Sequence, residues 1–240
     1  MHTGKQRSTS YNRHISPFSP PPPHHDAPGS ASVQPGTPVA LPVFLDQLIF
    51  SRSGPIRACY CPMPKEVAYN LDADLEHNRK YIGTYFPRSF GESRGIFSRL
   101  IRPDMVTDSM HAKPVLRILD IGSGTGGNLC GLLLTLDSTG YTGRVEVISV
   151  DGNAIALDLQ GHIIQAVKNQ GLSFSLAYKQ IHTVFDSNQA LFCKQLRAVM
   201  GEGDFDVIMA WKTICEYYKH VKGVTKAGSI PVFSIPLPIV

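Results

Sequence analysis

The residues best placed to do chemistry lie in one short run, Asp120-Ile121-Gly122-Ser123-Gly124-Thr125-Gly126. Glycines carry no Cβ, so Gly122, Gly124 and Gly126 let the backbone turn sharply and approach a ligand. A carboxylate, Asp120, stands just before them. A second acid, Asp151, closes the β-branched run Arg144–Val150 and is followed by Gly152-Asn153. A carboxylate can accept from both hydroxyls of a vicinal diol; the competing use for Asp151 is to cap the next helix. Around the glycines, Leu116, Ile118 and Ile121 read as a buried strand and Leu129–Leu136 as a helix packed on a sheet. A strand, a glycine turn and a helix N-terminus together present backbone N–H groups to a nucleotide-type cofactor.

The same glycines satisfy two patterns. Gly122-x-Gly124-x-x-Gly127, with Asp151 further on, matches the dinucleotide fingerprint and would make the chain an NAD(P)-dependent oxidoreductase. Asp120-x-Gly122-x-Gly124-x-Gly126 resembles the first motif of the class I, Rossmann-like methyltransferases that use S-adenosylmethionine (SAM). Asp120 separates the two: a carboxylate there repels a pyrophosphate and attracts the ammonium and sulfonium of SAM. A turn that holds no ligand is the third reading. The resemblance implies SAM as cofactor, with Asp120, Gly122, Ser123, Gly124 and Gly126 around its amino-acid end. It also implies Asp151 at the ribose, Asn153 among the cofactor-binding residues, Asp186 at the adenine, and Arg88 at the SAM carboxylate with Tyr85 or Phe90 walling the pocket. The carboxyl end of the fourth strand then faces the methyl group, which makes Trp211, Lys212 and Glu216 candidates for the acceptor side. Each of these has a plainer use. Asp186-Ser187-Asn188 is ordinary turn chemistry, Lys212 and Glu216 are spaced for a helical ion pair, Trp211 can pack under a helix, and Arg88 can sit in an exposed loop.

The elements that must position these residues follow from periodicity. Ile155, Leu159, Ile163, Ile164 and Val167 recur with helical spacing, and Gly171 stops that helix. Leu172–Ile181 alternates as a third strand, Gln189–Met200 reads as a helix, and Phe205–Trp211 as a fourth buried strand. Upstream, Val43–Phe50 is a short apolar segment. Lys65–Tyr85 is expected to be a helix that ends before Phe86-Pro87, since the residue before proline disfavours the α conformation. Tyr85–Ser93 is then expected to be a loop. The fold expected is α/β: a Rossmann-like, doubly wound, mostly parallel sheet, incomplete at the C-terminus, with a helical N-terminal extension. Its parts are a Pro-rich tail over 1–42, the extension over 43–110 and the cofactor domain over 111–240.

Composition sets outer bounds. The chain has 240 residues, 42% of them hydrophobic, enough for one good-sized domain with tails. A net charge of +4 permits a nucleic-acid partner without arguing for one. Five scattered Cys point to reduced thiols and an intracellular, cytoplasmic setting, and Cys59-Tyr60-Cys61 lacks the partners a metal site needs, so no metal is expected. Lys5, Arg7 and Arg13 suit an organelle-targeting peptide, but the prolines spoil its helix. The run Ser16–Pro23 favours polyproline II, a flexible tail or a ligand for an SH3- or WW-like groove. Pro231, Pro236 and Pro238 make Val221–Val240 a poor strand, too broken to span a membrane, and expected to be loosely laid on the surface. The family's sheet is larger than the four strands readable here. A truncated, non-catalytic SAM-binding protein is therefore the alternative to an active enzyme. No Asn/Asp-Pro-Pro-aromatic run or Pro-Cys pair follows the fourth strand, so the methyl acceptor is unknown.

Overall fold

A computed structural model describes residues 40–67, 71–101, 108–186, 188–201 and 203–211. In chain order the elements are α1 (Val43–Phe50), a 3-10 turn (Pro64–Val67), α2 (Leu75–Leu100), α3 (Asp108–His111), β1 (Val115–Ile121), α4 (Gly127–Ser138), β2 (Arg144–Asp151), α5 (Ala154–Lys168), β3 (Ser175–His182), α6 (Gln189–Met200) and β4 (Val207–Met209). The architecture is α/β and Rossmann-like. Four strands lie in the order β3-β2-β1-β4, and all pairs are parallel. The order reverses between β1 and β4, so the carboxyl ends of those strands flank a topological switch point, where ligands of open α/β sheets sit.

Both sheet faces are dressed. Leu116 and Ile118 of β1 and Val145 and Val147 of β2 pack with Leu129, Leu132 and Leu133 of α4 and Ile163, Ile164 and Val167 of α5. On the opposite face Leu119, Ile121 and Val150 meet Leu196, Val199 and Met200 of α6. Leu45, Ile49, Ile82, Phe86 and Phe90 of α1 and α2 join the first cluster, so the upstream helices and the sheet share one core.

Helix α2 departs from the sequence expectation. It runs through Pro87 and absorbs Tyr85–Ser93, the stretch expected to be a loop. An interior proline costs a helix roughly 3 kcal/mol. Burying Ile82, Phe86 and Phe90 returns roughly 1.5–3 kcal/mol for each side chain, so packing overrides the local rule. The two halves are also tied separately. Asp74 caps the start by accepting from His77 N–H at 2.8 Å, and beyond the proline Ser93 Oγ donates to Asn128 O of α4 at 2.6 Å. Small residues make the second contact possible: a Cβ on Gly131 would stand 2.8 Å from Phe90 O. Among the described residues, the segment expected to form a helix from Lys65 carries a 3-10 turn over Pro64–Val67, and α2 begins at Leu75.

The fourth strand is three residues long, shorter than the Phe205–Trp211 expected, and it is pinned at its amino end. Asp206 Oδ2 accepts from Arg117 N–H at 2.7 Å, Asp206 Oδ1 takes the Lys113 ammonium, and Asp206 N–H donates back to Arg117 O at 2.9 Å. The Arg117 guanidinium lies 4.9 Å from the Phe205 ring centroid. Asp206→Ala is expected to lower stability by about 1.5–3 kcal/mol, the range for hydrogen bonds to a charged group. Urea unfolding checks this; an unchanged midpoint would show that β4 docks without the clamp.

Candidate functional site

The glycine loop leaves the end of β1 and enters α4. Gly122 N–H donates to Val150 O at 2.8 Å and Ser123 N–H to the same oxygen at 3.1 Å, which folds the loop back onto β2. Gly124 and Gly126 have φ of +52° and +82°, a region L side chains rarely adopt. Their surroundings differ. A Cβ at Gly124 would meet no protein atom within 4 Å, whereas a Cβ at Gly126 would lie 2.7 Å from Gln160 Cγ. Gly124 therefore fronts open space, and Gly126 is pressed onto the protein.

Asp120 lies beneath the loop. It is fully buried, and neither carboxylate oxygen has a hydrogen-bond partner among the described residues. Burial pushes its carboxyl up to about 7, and the neighbouring Asp151 carboxylate adds to the rise. In register, Asp120 stands beside Ser149 of β2, which stands beside Gln180 of β3, so one sheet face carries a polar row at its carboxyl end. A buried charge without a partner is costly, and such an acid waits for a cation or holds a proton.

Asp151 serves the protein itself. Its Oδ2 accepts from Gly124 N–H at 2.7 Å and its Oδ1 from Asn153 N–H at 2.8 Å. It thus ties the loop to the end of β2. The cap of α5 is Asn153 rather than Asp151: its Oδ1 accepts from Ala156 N–H at 2.8 Å. Asn153 Nδ2 donates to Leu71 O at 2.9 Å and Ala73 O at 3.0 Å, which lashes the segment before α2 across the end of β2.

The remaining sequence candidates are dispersed. Arg88 lies on the exposed side of α2 with its Nε 2.7 Å from Glu92 Oε1, an ion pair one helical turn long. Phe90 is fully buried in the core. Asp186 shapes the entry to α6: its Oδ1 accepts from Asn188 N–H at 2.7 Å and its N–H donates to Gln195 Oε1 at 2.8 Å. Trp211 follows β4 in a turn and is half-buried. Lys212, Glu216 and Val221–Val240 lie outside the described residues, as does the Pro-rich tail up to residue 39. The structure therefore brings together Asp120, Gly122, Ser123, Gly124, Gly126, Asp151 and Asn153.

Sequence reasoning missed two residues here. Gln160 of α5 is fully buried; its Oε1 accepts from Ser123 Oγ at 3.1 Å and its Nε2 approaches Ser149 Oγ at 3.4 Å. Asn78 of α2 donates to Ala73 O at 3.0 Å and Asp74 O at 2.9 Å and approaches Asn153 Oδ1 at 3.4 Å. Both were findable, because each is a polar residue on an apolar helical stripe: Gln160 between Leu157 and Ile164, Asn78 four before Ile82. Among the described residues no group of three or more His, Cys, Asp or Glu could hold a metal ion, and no helix is long and apolar enough to cross a membrane.

No protein-family model matches the chain, and no curated protein matches it. Among solved structures the chain is similar to MNMC2 from Aquifex aeolicus, at 22% identity and a TM-score of 0.30. That match covers 50% of this chain and 39% of the other, so the chain spans about two fifths of that protein's length.

Proposed function

We propose that the chain binds S-adenosylmethionine at the glycine loop and transfers its methyl group to an acceptor still to be identified. One observation carries this reading: a fully buried carboxylate, Asp120, has no partner of its own beneath a loop whose central glycine faces open space. Around the loop, the unsatisfied group is an acceptor, and what suits it is a cationic ligand rather than a phosphate. A dinucleotide would bring its pyrophosphate toward that acid, which disfavours the oxidoreductase reading.

The residues fit the group. Asp120 would compensate its positive charge, Gly124 would admit it closely, and the Asp151 carboxylate would take the ribose hydroxyls. When bound, SAM supplies a methyl group activated on a sulfonium. The protein's share is positioning and electrostatics. Asp151 holds the loop in place through Gly124 N–H, and the buried surroundings of Asp120 keep water from competing for its charge.

Asp151→Ala is expected to weaken SAM binding by roughly 1.5–3 kcal/mol, since it removes both the diol acceptor and the tie to Gly124. Calorimetry on the purified chain with SAM, its demethylated product and NAD in turn makes the measurement. Tight binding of NAD with none of SAM would overturn the reading.

A further inference from the structure

A chain of polar contacts runs under the glycine loop and ends beside Asp120. Ser123 Oγ donates to Gln160 Oε1 at 3.1 Å. Gln160 Nε2 lies 3.4 Å from Ser149 Oγ. Ser149 is the in-register neighbour of Asp120. Gln160 and Ser149 are fully buried, and Ser123 is nearly so. The Gln160 side chain also fills the space under Gly126, where a Cβ would come within 2.7 Å of Cγ and 2.9 Å of Nε2.

A primary amide has both donors and an acceptor, so one side chain can satisfy a hydroxyl on the loop and a hydroxyl on the strand at once. A leucine of similar size would fill the volume but leave Ser123 without its acceptor, and a buried hydroxyl left unpaired has reason to re-orient. Ser123 directly precedes Gly124, the glycine that fronts open space, so the anchored hydroxyl holds the backbone leading into it. Gln160 is therefore placed to set the loop's shape without being the residue that fronts it.

We propose that Gln160 is a positioning residue for the cofactor loop: held by α5, it fixes Ser123 and Gly126 so that the loop keeps the shape that accepts a ligand over Asp120. This rests on the reading of the loop as a SAM site. It adds a residue on a different helix from the motif, acting through Ser123 rather than through contact with the ligand.

The test uses the full chain, with SAM as the calorimetric probe and glycine-selective nitrogen labelling for amide resonances. Gln160→Leu is expected to keep the far-ultraviolet circular dichroism and a cooperative melt. It should weaken SAM binding by roughly tenfold or more, the loss expected when a loop must be re-ordered on binding. The amide resonances of Gly122, Gly124 and Gly126 should move while those of Gly95 and Gly140 stay. Adding Ser123→Ala to Gln160→Leu should cost little more, because both remove the same hydrogen bond. Wild-type affinity in Gln160→Leu, or a shift of all glycine resonances alike, would overturn the proposal. If Gln160→Leu does not fold, Ser123→Ala decides: it must weaken SAM binding by itself, and unchanged affinity overturns the claim. If the wild-type chain binds no SAM, the cofactor reading falls, and the positioning claim is judged on the loop resonances of the variant alone.

Discussion

Asp120→Asn should make the protein more stable at about pH 8 and, in the same stroke, cost it its ligand. The unfolded carboxyl titrates at about 4, whereas burial pushes the native group up to about 7. A native acid with a raised pKa binds its proton more tightly than the unfolded chain does. Its favourable contribution is then fully present below about pH 4, is lost as pH rises toward 7, and is absent above that. Across that window the ionised carboxylate costs roughly 4 kcal/mol relative to the neutral acid. Asparagine removes that cost and, like the neutral acid, is an uncharged buried polar group without a partner. The net expectation is a gain of up to roughly 4 kcal/mol above neutral pH and little change below about pH 4. Urea unfolding of both proteins across this range reads the difference directly. For the ligand the sign is opposite. A cation stabilises the ionised form, so SAM should bind more tightly as pH rises through 7 and should release a proton on binding at about pH 6, measurable by calorimetry in buffers of different ionisation enthalpy. Asp120→Asn should abolish both the affinity and the proton release. A variant that loses stability at about pH 8, or binds SAM as the wild type does, would show that Asp120 already has a partner and does not wait for one.

The strand, glycine loop, helix, strand and acid were legible because hydrophobic period and glycine spacing are local signals. The parallel order β3-β2-β1-β4 follows the alternation of strands and helices that such signals trace. What stayed hidden depends on contacts distant in the chain. Gln160 lies 37 residues from Ser123, and nothing near it announces a loop to support. Asp151 carries the marks of a ribose acid in sequence, yet its carboxylate accepts from Gly124 N–H and Asn153 N–H, and the tie to Gly124 exists only once the loop has folded back. Pro87 misled for the same reason. A local steric rule predicts a break, and the burial of Phe86 and Phe90 on α4 outweighs it.

Of the loop's three glycines with positive φ, Gly124 and Gly126 separate what the loop would do for a ligand from what it does for the fold. Both would be strained by a side chain: an L residue in this region costs roughly 1–2 kcal/mol. They diverge in what the new methyl group meets. At Gly124 it meets no protein atom within 4 Å, so Gly124→Ala should fold with a loss of only about 1–2 kcal/mol. The methyl group would occupy the space offered to the ligand, and SAM affinity should fall beyond detection. At Gly126 the methyl group meets Gln160 at 2.7 Å, and Gln160 is buried on every side. Overpacking of that kind adds roughly 1–3 kcal/mol to the backbone strain. Gly126→Ala should therefore be the less stable variant by about 1–3 kcal/mol, with the loss of binding following from the displaced loop. Thermal melts and SAM titrations of the pair distinguish the two effects. Equal stabilities would mean that Gln160 yields without cost and does not brace the loop. Normal SAM binding by Gly124→Ala would mean that the open space before Gly124 is not where the cofactor lies.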